Sequence, residues 1–417
     1  MKIKLSRIAI VSTVIIMIGL SIFIGKNNKQ EIIIKEINGE KSALGDVSII
    51  AQDMQSIYKT SKSTINKDGI SEEKFTKTTS TRYSNAQDLI TNKELLDYSQ
   101  GDNGTYQYDN YVGVVSVSTY YTEENADDEQ KEIVATVMEE NIETKEVKNY
   151  SINLHTYVKD NESNGISTTT VPIVFEDELY VVVGLDMINY NNTNKYENQT
   201  EESRLYVYKL NLKDKSAEHI LTKKLSEDGE SSIGYNTAFS KDSTAYFVNR
   251  LYSKNNKNET ETEFQLLSFD LETRKFDTLS LGRNIDGQGL WNIFNYYLID
   301  DIAYLIYDYE LGKTFNISEI EINLNTNKIT NKEIKYSLKL DENINTNDVG
   351  YSLDNLRCID NKLFISLEIQ NNTSTTWNSR GHVSQYIYVV DRDSKETLYA
   401  AKINNSKNNN ITLSVVK

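Results

Sequence analysis

The feature that most constrains the fold is a pair of sequence landmarks that recurs about every 60 residues, a period typical of repeat proteins. The first landmark is an acidic or Asn-containing turn leading into an apolar run, at residues 109–115, 176–181, 242–247, 300–305 and 360–365. The second is a polar turn of Asp or Asn, Thr or Ser, and Lys or Arg, at residues 141–145, 211–215, 270–274, 323–327 and 391–395. The two landmarks keep the same order in every copy, so chance agreement is a poor explanation.

The apolar runs have the composition of β-strands, since they are about 5–8 residues long and rich in Tyr, Val, Ile, Leu and Phe. In the run at residues 205–210, Tyr206 and Tyr208 fall on one face and Val207 on the other. Apolar residues on both faces predict that both faces are covered. Four strands per repeat, stacked against neighbours, predict an all-β protein, a β-propeller of about six to seven four-stranded blades. A single β-sandwich is the alternative, although its strands usually have one polar face and no long period.

The repeats occupy residues 46–417, which we interpret as one propeller domain. It begins with a degenerate unit whose clearest mark is a hairpin turn at residues 66–69. Residues 84–98 are expected to form a short helix or a loop. Residues 411–416 have the composition of a strand, and we expect it to pair with the sheet begun by the N-terminal unit, which would close the ring.

Long polar insertions separate the two landmarks in four of the five clear copies. They are rich in Asn, Glu and Thr and lie at residues 122–130, 189–203, 253–263 and 370–381. Because they occupy corresponding places in the repeat, we expect them to lie on one face of the propeller.

The N-terminus predicts a membrane anchor. Residues 1–7 include three basic side chains and are interpreted as a cytoplasmic tail, and residues 8–25 form an almost uninterrupted apolar run. This length is at the lower limit for a transmembrane helix, and the preceding basic residues favour a cytoplasmic N-terminus. We interpret residues 8–25 as an uncleaved signal-anchor and residues 26–45 as a stalk with one strand at residues 32–37. The bulk of the chain would then lie outside the cell membrane; cleavage after residue 25 is the alternative.

The charge of the chain limits its partners. The net charge is −16, and an acidic surface argues against binding nucleic acid through a broad basic face. The expected membrane contact is therefore the N-terminal helix. Cys358 is the single cysteine, so an intramolecular disulfide is excluded, and we expect this thiol to be a small core residue.

Recognised motifs for catalysis, metal binding or cofactor binding are absent from the sequence. His155, His219 and His382 lie in separate repeats and have no partner at metal-ligand spacing. No serine-hydrolase, P-loop or dinucleotide-binding pattern occurs. The acidic stretches at residues 123–128 and 341–343 do not have the spacing of a calcium loop. We predict no metal and no cofactor, and we name no catalytic residue, although a site assembled across blades would leave no motif.

Aromatic side chains supply the candidate binding residues. Trp377 lies in a polar insertion with no obvious packing partner, and an exposed Trp is a common contact residue at interfaces. His382, in the loop at residues 380–382, and Tyr235, which we interpret as a loop residue, are the two further candidates. Trp291 is instead expected to pack in the innermost strand of its blade.

The landmark pair at residues 360–365 and 385–391 resembles blades of bacterial, membrane-anchored extracytoplasmic β-propellers, and the resemblance covers about residues 46–417. The chain lacks the Trp-Asp ends of WD40 repeats and the regular Trp motif of quinoprotein propellers, so neither family's function carries over. The resemblance implies a fold and not an activity.

The anchor, the insertions and the absence of catalytic motifs lead to one main hypothesis. The chain would be a membrane-anchored binding or scaffold module that recognises a protein or a cell-envelope component through the loop face. The alternative is a hydrolase or lyase acting on envelope polymer, with carboxylates at the mouth of the propeller channel. A signalling receptor is disfavoured, because a tail of about seven residues could transmit little. Two or three acids converging at the channel mouth would favour the enzyme.

Overall fold

The computed structural model describes residues 32–56, 59–75, 85–99, 104–120, 130–159, 164–189, 200–225, 231–254, 260–285, 288–289, 293, 295–312, 314–340, 349–371, 383–405 and 411–417. Within these ranges the chain is almost entirely β-strand, as predicted. Two short α-helices, α1 (Asn85–Leu89) and α2 (Lys93–Tyr98), and a 3₁₀ turn at Lys41–Leu44 are the helical elements of this part of the chain.

The first half of the strands spans the N-terminal element and the first three repeats. They are β1 (Ile32–Gly39), β2 (Ser48–Ser56), β3 (Lys59–Asn66), β4 (Gly69–Phe75), β5 (Gly104–Tyr108), β6 (Tyr111–Tyr120), β7 (Gln130–Asn141), β8 (Val147–Lys159), β9 (Asn164–Phe175), β10 (Glu178–Asn189), β11 (Thr200–Asn211) and β12 (Ser216–Lys224). The second half is β13 (Ser231–Lys241), β14 (Thr244–Lys254), β15 (Thr260–Asp270), β16 (Lys275–Ile285), β17 (Gln288–Gly289), β18 (Asn295–Ile299), β19 (Ile302–Leu311), β20 (Thr314–Asn323), β21 (Lys328–Lys339), β22 (Val349–Ile359), β23 (Lys362–Asn371), β24 (Val383–Asp391), β25 (Thr397–Asn405) and β26 (Ile411–Val416).

The strands of the described ranges form six antiparallel sheets, which we call blades 1–6. Blade 1 is β26-β2-β3-β4, blade 2 is β5 to β8, blade 3 is β9 to β12, blade 4 is β13 to β17, blade 5 is β18 to β21, and blade 6 is β22 to β25 with β1 outside β25. The first strands of successive blades, from β5 through β9, β13, β18 and β22 to β26, contact one another and are innermost. This is the arrangement of a β-propeller, and six blades is the lower of the two predicted numbers.

Two strand pairings join the ends of the chain to the ring. β26 pairs with β2, with Val415 opposite Ile49, which confirms the predicted closure by residues 411–416. β1 pairs with β25, with Ile32 opposite Asn405. The chain therefore joins the last sheet at Ile32, inside the segment that was predicted to be a stalk. Each pairing covers an edge that would otherwise be open.

The two landmarks are both tight turns, and their residue types have a physical reason. The first landmark joins the innermost strand to the second, and its acidic residues adopt left-handed backbone angles, as at Asp109, Asp242 and Asp300. Asp and Asn tolerate this conformation better than most residues. The second landmark joins the third strand to the fourth. There the leading side chain accepts the backbone N–H three residues later, as in Asn141 with Thr144 and Asp391 with Ser394, both at 2.8 Å.

Apolar side chains fill the spaces between neighbouring blades. Buried clusters join blade 2 to 3, 3 to 4, 4 to 5, 5 to 6 and 6 to 1; they contain, for example, Phe247 between blades 3 and 4 and Phe364 between blades 6 and 1. Burial on both faces explains why the strands carry apolar residues at successive positions.

Helices α1 and α2 pack on the face of blade 2 that is turned away from blade 3. Leu95 and Leu96 join Val112, Val114 and Met138 in a separate buried cluster. Fully buried Glu140 accepts backbone N–H groups of Thr91 and Asn92 just before α2, at 2.8 and 2.7 Å. The predicted short helix at residues 84–98 is therefore two helices, and they form part of the packed interior.

A buried ion pair fastens these helices to the innermost strands. Arg357 on β22 binds both carboxylate oxygens of Asp88 on α1, at 2.8 and 3.1 Å, and donates to the carbonyl of Val415 at 2.6 Å. Arg357 is 4% exposed, so the pair is largely shielded from water.

The predicted tail and transmembrane segment, residues 1–7 and 8–25, lie outside the described residues. No helix within the described ranges has both the length and the apolar character needed to cross a membrane.

Candidate functional site

Because successive strands run in opposite directions, the connections between them lie on two opposite faces of the disc. The tight turns of both landmarks lie on one face of the disc, which we call the turn face. The links from second to third strand, and from each blade to the next, lie on the opposite face, which we call the insertion face. The polar insertions leave and rejoin the strands there, in the connections 121–129, 190–199, 255–259 and 372–382. Blade 5 has only residues 312–313 at the same place.

The three predicted binding residues belong to two blades. Trp377 and His382 fall in the connection between β23 and β24 of blade 6, outside the described residues. Tyr235 lies in β13, the innermost strand of blade 4, and its side chain is also outside the described part. It was predicted as a loop residue but belongs to a strand.

The strand that carries Tyr235 has a large bulge. Ile233 pairs with Asn249 and Ala238 pairs with Phe247, so four residues on β13 face one residue on β14. Bulges redirect side chains and are frequent beside functional sites. This bulge lies on an innermost strand, next to the central channel.

A buried carboxyl group holds β13 immediately before the bulge. Asp186, on β10 of blade 3, accepts the backbone N–H of Ile233 at 2.9 Å and the hydroxyl of Ser232 at 3.1 Å. Its other oxygen lies 2.5 Å from the hydroxyl of Ser203 on β11. Asp186 is 3% exposed. We call this group the Asp186 junction; it joins blade 3 to blade 4 at the insertion-face ends of their strands.

The hydrogen bonds at the junction favour a protonated carboxyl. Ser203 has one hydroxyl proton but faces two acceptors, Asp186 Oδ1 at 2.5 Å and the carbonyl oxygen of Ser231 at 2.8 Å. A proton on Asp186 lets it donate to Ser203 Oγ while Ser203 donates to Ser231, so that every contact is satisfied. Burial raises the pKa of Asp186 to about 6, and the Ser203, Ile233 and Ser232 hydrogen bonds oppose this only in part.

Two more buried polar atoms lie close by in the same strands. Asn249 is paired with Ile233 in the sheet and is 2% exposed, and Ser231 is fully buried. Among the described residues, Asn249 Oδ1 and Ser231 Oγ have no hydrogen-bond partner. Arg250, on the next position of β14, lowers the pKa of Asp186 by its charge. The junction is therefore a concentration of polar groups at the end of an apolar interface.

The other buried carboxylates have structural partners. Glu139 accepts the hydroxyl of Tyr106 at 2.7 Å in blade 2, and Glu319 accepts that of Tyr297 at 2.8 Å in blade 5. Burial raises the pKa of Glu139. In the part of the chain that the structure describes, no three His, Cys, Asp or Glu side chains come together in a geometry that could hold a metal. Three acids converging at the channel mouth are likewise not seen among these residues.

The remaining candidates of the sequence have packing roles. His219 lies against the Tyr208 ring, with centroids 5.5 Å apart, and its Nε2 is 2.8 Å from Thr222 Oγ1. Burial raises the pKa of the Cys358 thiol to about 11, so it is not a nucleophilic thiolate at neutral pH. Cys358 packs against the cluster between blades 5 and 6, as predicted. Tyr296, on the innermost strand β18, stacks on Phe239, and Trp291, which was predicted to pack in the innermost strand, lies outside the described residues.

Sequence reasoning missed Asp186. The available signal was an isolated acid in the apolar run at residues 179–188, at a position where both faces of the strand were predicted to be covered. Carboxylates are rarely buried without a specific partner, so this position could have been selected.

Comparisons with solved structures return β-propellers at low similarity. The WD40 domain of SCAP from fission yeast has 11% identity and a TM-score of 0.28, covering 88% of this chain and 72% of that chain. The β-propeller domain of the Trilobed protease from Pyrococcus furiosus has 8% identity and a TM-score of 0.28, covering 85% and 94%. The GH43 endo-arabinanase from Bacillus licheniformis has 8% identity and a TM-score of 0.26, covering 76% and 96%.

No protein-family model matches the chain, and no curated protein matches it. A β-propeller fold by itself does not decide between binding and hydrolysis.

Proposed function

We propose that the chain is a binding or scaffold module, anchored in the cell membrane by residues 8–25, that recognises a protein or a cell-envelope component through its insertion face. The observation that carries the proposal is the placement of the long insertions. Four of them join the second and third strands of their blades, and all four start and finish on one face of the disc. Loops held by a rigid scaffold are a common basis for recognition.

The net charge of the chain and its expected location outside the membrane also support this proposal. The net charge of −16 disfavours nucleic acid as the partner. The single-pass anchor would place the bulk of the chain on the extracytoplasmic side, where proteins and envelope polymers are available. Trp377, His382 and Tyr235 remain the residues we propose for contact, and all three belong to segments of the insertion face or of the bulged innermost strand.

Blade 5 supplies a natural template for testing the loops. Its second and third strands are joined by Gly312 and residue 313 alone, so a two-residue link is compatible with a blade. The test replaces residues 190–199 of blade 3 by Gly-Lys in the full chain, and separately makes Trp377→Ala. Partners are captured by chemical cross-linking in intact cells of the source organism. A turn-face variant, Lys215→Ala, is the matched control.

We expect wild type and the turn-face control to capture the same partner, and at least one insertion-face variant to lose it. Equal capture by all variants would place the contact elsewhere and contradict the proposal. Retention of the strand signal in circular dichroism separates loss of contact from loss of fold.

An envelope-polymer hydrolase or lyase is the second candidate, and the Asp186 junction favours it. A carboxyl with a pKa of about 6 is suited to proton transfer near neutral pH, and it lies beside the bulge of an innermost strand. A glycosidase mechanism would also need a second carboxyl group about 5–10 Å from Asp186, across the scissile bond. Release of soluble fragments from envelope polymer by wild type, abolished by Asp186→Asn, would support this candidate over the first.

A further inference from the structure

The chain joins the propeller at one defined point of its rim. Ile32 is the first residue of β1 and pairs with Asn405, the last residue of β25. From Asn405 the chain continues to Ile411, at the insertion-face end of β26. Ile32 therefore lies on the outer rim of blade 6, at the insertion face.

The segment between this point and the apolar run at residues 8–25 is short. Residues 26–31 span at most about 20 Å when fully extended. The five strands of blade 6 are spaced about 4.8 Å apart, so the blade extends about 19 Å from the channel to the rim. The whole disc is therefore at least about twice as wide as residues 26–31 can reach. An anchor in residues 8–25 would hold the rim of blade 6 near the membrane.

The rim of blade 6 carries one of the exposed apolar side chains of the disc. Among the described residues, the large hydrophobic side chains that are exposed are Ile33 at 54%, Ile70 at 47% and Tyr351 at 38%. Ile33 lies toward the insertion-face end of β1, at the rim of blade 6, whereas Tyr351 lies toward the same face on β22, next to the channel. Ile70 lies in the neighbouring blade 1, near its turn face. We call the insertion-face end of β1, around Ile33, the blade 6 edge.

The insertion-face connections leaving blades 2–5 are acidic, whereas those leaving blades 6 and 1 are basic. The connections leaving blades 2–5 are residues 121–129, 160–163, 190–199, 226–230, 255–259, 286–287, 312–313 and 341–348, and they contain 16 acidic and three basic residues. Those leaving blades 6 and 1 are residues 57–58, 76–84, 372–382 and 406–410, with four basic and no acidic residues. Residues 100–103, which follow α2, add Asp102. An anionic lipid surface would repel the first set and attract the second.

We propose that the blade 6 edge rests on the headgroup surface of an anionic lipid bilayer, so that the disc is tilted with blades 3 and 4 farthest from the membrane. This inference rests on the membrane anchor in the proposed function. The alternative orientation, with the whole insertion face lying flat on the bilayer, would bring the acidic connections of blades 2–5 against like charge. In the tilted orientation the insertions of blades 3 and 4 stay accessible to a partner, while the blade 6 insertion with Trp377 and His382 would make its contact at the lipid surface.

The test measures the distance of three rim positions from lipid. The full chain with Cys358→Ala receives one new cysteine at a time, by Ile33→Cys on the blade 6 edge, Lys223→Cys at the matching rim of blade 3, or Lys395→Cys on the turn face of blade 6. Each cysteine carries a fluorophore. The protein is reconstituted in vesicles of phosphatidylcholine and phosphatidylglycerol that include a lipid with a doxyl quencher in its chain, and flotation measures anchoring separately.

We expect at least twofold stronger quenching at position 33 than at positions 223 and 395. Equal quenching at 33 and 223 would mean a flat orientation and overturn the proposal, as would the absence of quenching at 33 in chains that float. Chains that do not float would refute the anchor and this inference together, without bearing on partner capture by the insertions.

A second measurement avoids the cysteine variants. Wild-type protein is treated with a water-soluble lysine reagent in the same vesicles and in detergent. Exposed Lys35 on β1 should lose reactivity at least twofold in vesicles, while exposed Lys223 should not. Unchanged reactivity of Lys35 would overturn the proposal.

Discussion

Replacing Asp186 by Asn tests the chemistry of the junction between blades 3 and 4. The ordinary Asp pKa is 3.8, and burial raises that of Asp186 to about 6. The folded protein then binds this proton more tightly than the unfolded chain. Its free energy of unfolding therefore falls as the pH rises from about 4 to about 6, and the deficit persists above that range.

The magnitude follows from the two pKa values. A difference of about two units corresponds to about 3 kcal/mol at pH 7.5, where both states have lost the proton, and to about 1 kcal/mol at pH 4.5. Asn cannot ionise, and its amide can donate to Ser203 while its oxygen accepts from Ser232 and Ile233, as the protonated acid does. The variant should therefore be more stable than wild type, and its advantage should grow by about 2 kcal/mol between these pH values.

The assay is urea unfolding followed by circular dichroism at pH 4.5 and pH 7.5. Asp214→Asn, an exposed turn carboxylate of the same blade, is the control and should differ from wild type by less than about 0.5 kcal/mol at both. An Asp186→Asn advantage that is equal at the two pH values, or a loss of stability at pH 7.5, would refute the assigned protonation.

Three further substitutions test other parts of the ring by urea unfolding. Gly113→Ala should cost about 1–3 kcal/mol, because the added methyl would collide with the buried ring of Tyr106. Arg357→Met should cost about 3–5 kcal/mol, because it removes the buried guanidinium that pairs with the Asp88 carboxylate. Lys395→Gly should stabilise the protein by about 1 kcal/mol, because Lys395 has a left-handed backbone with φ 60.

Each of these substitutions has a matched comparison. Gly312→Ala should have little effect, because an added methyl there meets nothing closer than 3.8 Å. Adding Asp88→Leu to Arg357→Met should recover much of the loss, since the buried negative charge is then removed as well. Lys402→Gly, within strand β25, should destabilise instead. If the two substitutions of a pair changed the free energy of unfolding equally, the reason given for that pair would be contradicted.

The turns and the strand order were predictable because their causes are local. The leading Asn or Asp of each second landmark bonds to a backbone N–H only three residues away, so a stretch of five residues carries the whole signal. Apolar residues at successive strand positions likewise indicated that both faces of each strand are buried. The closing strand at 411–416 was predictable because an open propeller would leave unpaired edges.

The candidate site depends on contacts that no local pattern records. Asp186 meets Ile233 from another blade, and Arg357 meets Asp88 across 269 positions of sequence. The pairing of β1 with β25 turned part of a predicted stalk into the rim of blade 6. In each case the two segments come into contact only when the blades assemble into the closed ring.

The sequence alone therefore determined an all-β repeat protein, its turn residues, its closing strand and the places of its insertions, because each follows from hydrogen bonds and burial within one repeat. The tertiary structure decided the number of blades, the packing of α1 and α2 on blade 2, and the environment of Asp186. Those features arise where segments far apart in the sequence pack against one another and exclude water from their contact. The free energy of a buried carboxyl depends on its neighbours in space, which the order of residues does not state.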